Sequence, residues 1–253
     1  MLDLNVSGGI ARITLCRAPV NAINDELLSS IHAALDTLET RSDWNVLLIE
    51  SSLKVFCAGA DLAQIDGCIS QADGAERMVQ IISQFQRLFE RIETLPAVTF
   101  AVIGGAALGG GLELALACDL RIAAQEAKLG LPEAGLGVIP GAGGTQRLTQ
   151  LCGRGVASRL ILGAEILDGN AAQTLGLVQW SVPRADLQVQ AQEIASRIAG
   201  LSSSAISESK RCIAAAQHWD GLGYGMEIEA TRRLYRDADT QKRIRTFLDK
   251  AKK

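Results

Sequence analysis

The chain has 253 residues, 48% of them hydrophobic and 21% charged; that is enough apolar material for a large buried core, and it excludes intrinsic disorder. A net charge of −3 and a pI near 5.5 exclude a surface built around nucleic-acid phosphates, because such binding depends on clustered Lys and Arg. Six cysteines (Cys16, Cys57, Cys68, Cys118, Cys152 and Cys212) form no C-x-x-C pair and read as reduced core thiols. The opening MLDLNVSGGIARITL lacks the basic and apolar regions of a signal peptide, and no run of about 18 apolar residues follows, so a cytoplasmic protein is expected and no membrane association.

Alternation around Gly8-Gly9 predicts a hairpin of strands Asp3 to Val6 and Ile10 to Leu15. After a loop from Arg17 to Asn24, Leu27, Leu28, Ile31, Leu35 and Leu38 recur at helical spacing over Asp25 to Glu39, with Asn24 or Asp25 as the cap. Asn45 to Glu50 reads as a buried strand, so strand, helix and strand form a parallel crossover. Val55 to Asp61 is small and Gly-broken and follows a strand, where α/β folds place ligand loops. Asp66 to Gln80, with Gly67, Gly74 and small polar residues, reads as a mobile lid. A long amphipathic helix follows over Ala75 to Glu93, then a strand over Val98 to Ile103.

Gly104 to Gly111 leads into a helix over Leu112 to Cys118 and a strand over Leu120 to Ala123. Pro132 and Pro140 frame Glu133 to Ile139, and Gly141 to Gly144 opens a helix from Thr145. Beyond Arg154 the chain reads as helical: Gly155 to Leu162, Ala171 to Leu175, Leu187 to Ile198, Ala205 to Gln217, Met226 to Tyr235 and Asp239 to Lys250. The predicted boundary falls after Leu151, giving a core over 1–151 and a mostly helical region over 152–253.

Two stretches carry chemistry. In GGAALGGGLELALACDL, Gly104 to Leu120, glycines precede a helix whose first turn holds Glu113. Bared amides there suit an oxyanion or phosphate, and tight packing of helix on strand is the structural alternative. No Walker loop occurs, and Gly135 to Pro140 puts Pro where a dinucleotide fingerprint needs its last glycine. His32 and His218 have no ligand-spaced partners, and no G-x-S-x-G elbow exists, so neither metal nor serine-triad chemistry is expected. Glu113 and Glu133 remain, both in apolar, Gly-rich settings where a carboxylate needs a role or a partner. Paired carboxylates suit acid–base work on water. The alternative is that Glu113 caps its own helix and Glu133 pairs with Arg147 or Arg154; spacing leaves both open.

Several blocks resemble the enoyl-CoA hydratase/isomerase, or crotonase, superfamily, and most closely its hydratases: FCAGADL (Phe56 to Leu62), GGGLELALACDLRIA (Gly109 to Ala123) and LGLPEAGLGVIPGAGGTQRL (Leu129 to Leu148). The resemblance runs in order from Ile13 to Lys253. It implies an α/β fold, a crotonase-like spiral of ββα repeats with a carboxy-terminal helical trimerisation region, assembled as a homotrimer or a homohexamer that is a dimer of trimers. It implies an oxyanion hole from the amides of Ala60 and Gly110, catalytic glutamates at Glu113 and Glu133, and an acyl-CoA thioester as substrate with no further cofactor. By the same resemblance Ala58, Gly59, Ala60, Asp61 and Leu62 form the CoA and thioester loop, and Phe247 and Lys250 reach CoA from the carboxy terminus. Between Arg232 and Lys253, nine Lys or Arg against three Asp fit that expectation. The loop Arg17 to Ala22 is shorter than the commonest family form.

Two glutamates favour hydration of trans-2-enoyl-CoA in fatty-acid or related acyl-CoA degradation. Isomerases of the family generally keep only the carboxylate at the position of Glu133. An enoyl-CoA isomerase, a hydratase of a branched, aromatic-pathway or alicyclic enoyl-CoA, and a catalytically silent CoA-binding or RNA-binding relative are the alternatives. The RNA alternative meets an acidic early helix, with Asp25, Glu26, Asp36, Glu39 and Asp43 against Arg41.

Overall fold

The computed structural model describes residues 1–69, 71–215, 229, 231, 233, 234, 238–240 and 242–244. Phe247 and Lys250 lie outside the described residues, as does most of the helices expected over 226–235 and 239–250.

Strands β1 (Leu2–Ser7) and β2 (Gly9–Leu15) form the expected antiparallel hairpin, with Leu2 opposite Leu15 and Ser7 opposite Ile10. Helix α1 (Asp25–Glu39) starts where the Asn24 side chain accepts a hydrogen bond from the Leu27 amide, and it buries Leu27, Leu28, Ile31, Leu35 and Leu38. It carries the chain to β3 (Trp44–Ser51), parallel to β2. Val46, Leu47, Leu48 and Ile49 are all buried, the unbroken apolar run of a parallel strand covered on both faces. Helices α2 (Leu62–Ile69) and α3 (Gly74–Thr94) lead to β4 (Val98–Ile103). The two-residue β5 (Ala107–Leu108) and helix α4 (Gly110–Leu116) lead to β6 (Leu120–Ala124).

Beyond β7 (Leu129–Gly130), the chain makes a short 3-10 helix over Pro132–Leu136, then α5 (Gly144–Leu162). Gly153, at φ 79° and ψ 163°, breaks α5 into two segments, as the expected starts at Thr145 and Gly155 require. Then follow β8 (Ile166–Leu167), α6 (Gly169–Thr174), β9 (Trp180–Val182), α7 (Leu187–Ala199) and α8 (Ser203–Ala215). The main sheet has the order β1-β2-β3-β4-β6-β9, and β5, β7 and β8 make a second, small sheet.

Residues Met1–Ala199 form one compact unit and Gly200–Lys253 another. The division therefore falls at Ala199/Gly200 rather than after Leu151. The reason is that β9 pairs with β6 at the edge of the main sheet, and α7 packs against β2, β3, β4 and β6. The stretch read as a lid, Asp66 to Gln80, takes in the end of α2 and the start of α3, the latter one residue before the expected start at Ala75. No helix among the described residues is long and apolar enough to cross a membrane.

Arg121 on β6 is 2% exposed. It donates to the carbonyls of Cys118 at 2.6 Å, Leu177 at 2.8 Å and Ala115 at 3.2 Å. The guanidinium thus satisfies orphan carbonyls just beyond and within the last turn of α4, where the helix dipole favours a cation. It also ties that helix to the segment before β9. Arg121→Met leaves these buried carbonyls without their donors, and we expect a stability loss of about 3 kcal/mol. Chemical denaturation at pH 7 checks it, and a loss below about 1 kcal/mol contradicts the assignment.

Candidate active site

Three backbone segments meet at the carboxyl end of the parallel strands, the side on which α/β sheets place ligands. The first is Phe56–Asp61. Its Cys57 forms a bridge with Ala107 of β5, and the Leu108 amide donates to the Cys57 carbonyl at 3.1 Å. The second is Gly109–Glu113, which opens α4. The third runs from Glu133 in the 3-10 helix to Gly144 at the start of α5.

The first two segments lie very close together. A Cβ built on Gly110 would stand 3.5 Å from the Ala60 amide nitrogen and 3.6 Å from the Gly59 Cα. Neither the Ala60 nor the Gly110 amide has an intramolecular acceptor among the described residues. Gly110 is the first residue of α4, where helix geometry leaves the amide without a partner. The structure thus brings together the two donors expected from the sequence.

Glu113 sits one turn into α4 and is 3% exposed. Its Oε1 accepts the Gly144 amide at 2.8 Å. Burial pushes its carboxyl up to about 7; the amides of Gly144 and Ala142 and the charge of Arg147 pull the other way, and the negative charge of Glu133 adds to the rise. Glu133 is half-buried, and burial raises its carboxyl as well. Its Oε2 is buried with no hydrogen-bond partner among the described residues. Both carboxylates reach glycines that leave no room for a side chain. A Cβ on Gly109 would lie 2.9 Å from Glu133 Oε1, and one on Gly144 would lie 2.9 Å from Glu113 Oε1.

Glu113 therefore does not cap its own helix; it accepts from the start of α5. Nor does Arg147 pair with Glu133. Its guanidinium bonds Glu93 Oε2 at 2.8 Å and the Ala142 carbonyl at 3.0 Å, bracing the loop that supplies the Gly144 amide. Gln86 of α3 adds a bond to the Gly141 carbonyl at 2.7 Å. The two braces that reach α3 carry no sequence motif, because they join residues 54 and 55 positions apart.

In the expected CoA loop, Ala58 is exposed, Gly59 is buried, Ala60 and Asp61 are half-buried, and Leu62 is 72% exposed. Asp61 is engaged within the protein, with Oδ2 on Arg17 at 2.6 Å and Oδ1 accepting the Ala63 amide at 3.0 Å. Between the amino end of α1 and helices α2 and α3 lies a cavity of about 330 Å³, lined by Asp25, Gln64, Cys68, Arg77, Gln80 and Ile81 among others.

A carboxyl raised in the folded state binds its proton more tightly there than in the unfolded chain, so stability falls as pH climbs from about 4.5 to about 7. Glu113→Gln keeps an amide acceptor and removes the titration. We expect the variant to gain on the wild type between pH 5 and pH 8, by at most about 3 kcal/mol. Melting curves at both pH values check this, and a gap that stays flat contradicts it.

The profile of the enoyl-CoA hydratase/isomerase family matches residues 5–253. The chain is 34% identical over 252 residues to the short-chain-enoyl-CoA hydratase of Clostridium acetobutylicum, covering 98% of this chain and 95% of that protein. It is 43% identical over 159 residues to the mitochondrial methylglutaconyl-CoA hydratase of Mus musculus, covering 62% of this chain and 49% of that protein. Its structure superposes on that of an enoyl-CoA hydratase from Bacillus anthracis with a TM-score of 0.92 at 34% identity, covering 98% and 96% of the two chains. With the motifs, the sheet order and this likeness on nearly its whole length, the chain belongs to the enoyl-CoA hydratase/isomerase family and has its crotonase fold.

Proposed function

We propose that the protein hydrates a trans-2-enoyl-CoA to the 3-hydroxyacyl-CoA. The observation that carries this reading is the pair of carboxylates, Glu113 and Glu133, raised by burial and set beside two unpartnered amides. The amides of Ala60 and Gly110 receive the thioester oxygen and draw electron density from the conjugated double bond, leaving C3 open to attack. Glu113, with a carboxyl at about 7, takes the proton of a water held between the two glutamates. The hydroxyl bonds to C3, and negative charge moves to the thioester oxygen as an enolate. Glu133, whose carboxyl burial also raises, delivers a proton to C2. Each turnover adds one water and exchanges the protonation states of the pair, which solvent then resets.

No cofactor takes part, since coenzyme A belongs to the substrate. The proposal includes Ala58, Gly59, Asp61 and Leu62 as main-chain contacts for CoA, with Phe247 and Lys250 completing the site in a cytoplasmic homotrimer or hexamer serving acyl-CoA degradation. The match to the family over residues 5–253 supports these points, as does the basic composition of Arg232 to Lys253. Two carboxylates favour hydration over double-bond migration, which asks for a single base. On α1, the exposed Asp36 and Glu39 pair with Arg91 of α3, so this face of α1 is acidic and offers RNA no cationic surface.

Loss of the conjugated thioester absorbance of crotonyl-CoA measures hydration directly. Glu113→Gln and Glu133→Gln are each expected to lower kcat by on the order of 10³-fold. Full turnover in either variant would sink the assignment, and a gain of conjugated absorbance from a 3-enoyl-CoA without hydration would mean isomerisation instead.

A further inference from the structure

The peptide unit joining Gly59 to Ala60 carries both the amide assigned to the thioester oxygen and, on its opposite edge, the Gly59 carbonyl. In a trans peptide these two groups point in opposite directions. Whatever holds the carbonyl therefore aims the amide. Here the Gly59 carbonyl accepts the Ile23 amide at 2.8 Å, and on either side the Ala58 amide donates to the Val20 carbonyl at 3.0 Å and the Asp61 amide to the Ile23 carbonyl at 3.0 Å. The segment Arg17–Ile23 thus straps the loop on both sides of the Ala60 amide, which has no backbone acceptor among the described residues.

The strap has its own anchors. Asn21, fully buried at φ 51°, accepts the Arg17 amide through Oδ1 at 2.8 Å and donates to Ser51 Oγ at 2.7 Å and the Phe56 carbonyl at 2.9 Å. Arg17 closes the arrangement, donating to the Ala22 carbonyl at 2.9 Å and to Asp61 Oδ2 at 2.6 Å. One guanidinium therefore grips the strap beside Ile23 and the loop beside Ala60 together, the planar fork that suits Arg and not Lys.

We propose that Arg17, acting through Asp61 and the Ile23 amide, is a positioning residue that aims the Ala60 amide at the thioester oxygen. This inference rests on the oxyanion role given to Ala60 above. A hydrogen bond accepted by the Gly59 carbonyl also polarises the peptide it belongs to and sharpens the donor at its other edge.

The test compares wild type, Arg17→Met, Arg17→Lys and, as a control for loss of an exposed ion pair, Arg41→Met. Two readouts are taken: steady-state hydration, and the absorbance of crotonyl-CoA bound to the same proteins in a Glu113→Gln background, where polarisation of the carbonyl shifts the conjugated band to the red. Arg17→Met is expected to lower kcat by about 10- to 100-fold with KM changed less than about threefold, and to shrink the red shift. Arg17→Lys falls between, and Arg41→Met matches the wild type. An unchanged kcat and band in Arg17→Met overturns the proposal, as does a fall in both that only tracks the folded fraction measured by circular dichroism. A red shift without hydration in the parent protein overturns the hydration reading alone. No red shift in the parent background overturns this inference together with the oxyanion role of Ala60.

Discussion

Glu113 is packed almost wholly within the protein, and much of the structure answers to that constraint. An ionised carboxylate 3% exposed is unfavourable unless donors face it. The backbone supplies them, through the Gly144 amide and the amide of Ala142. For the Gly144 amide to face Glu113, the start of α5 must lie against the Glu113 side chain, where a Cβ at position 144 would stand 2.9 Å from both Glu113 Oε1 and the Pro140 Cβ. The loop before α5 is in turn held by Arg147 on Glu93 and by Gln86 on Gly141, both reaching α3. Arg121 fixes the other end of α4. A chain of polar contacts thus runs from the long helix α3 to the strand β6, and Glu113 lies at its middle.

Around this carboxylate the site sets two kinds of polar group against each other. Glu133 is close enough for its charge to make Glu113 a weaker acid, and the bared amides of Ala60 and Gly110 stand beside Gly109, against which Glu133 rests. Anion-seeking donors and proton-holding acids are placed within one small volume, with α4 supplying one member of each pair. Their relative placement is therefore fixed by a single turn of helix, the stiffest ruler the backbone offers.

The elements whose signal is local were legible in the sequence. The hairpin, α1, β3, the greater part of α3, β4 and β6 each repeat apolar residues at a helix or strand period, and each was found close to its expected place. The two-residue strands β5, β7 and β8 have no period to read, and β9 hides in a stretch whose neighbours are helical. Glu113, Glu133, Ala60 and Gly110 could be singled out because their motifs are contiguous. Their supporting contacts could not: Gly144 on Glu113, Glu93 on Arg147 and Asp61 on Arg17 join positions 31, 54 and 44 residues apart. The polar, Gly-bearing stretch read as a lid is helical because α2 and α3 pack on each other, a tertiary contact that outweighs weak local propensity.

The origin of the Glu113 acidity bears on its environment as well. Its largest cause is exclusion from solvent, with the neighbouring negative charge a lesser contributor. Mobile ions screen charges that face each other across water, and they screen a buried group much less. The ionisation of this carboxyl is accordingly governed more by the packing around it than by ionic strength. A change of buffer salt therefore shifts this acid less than a change in the side chains that cover it.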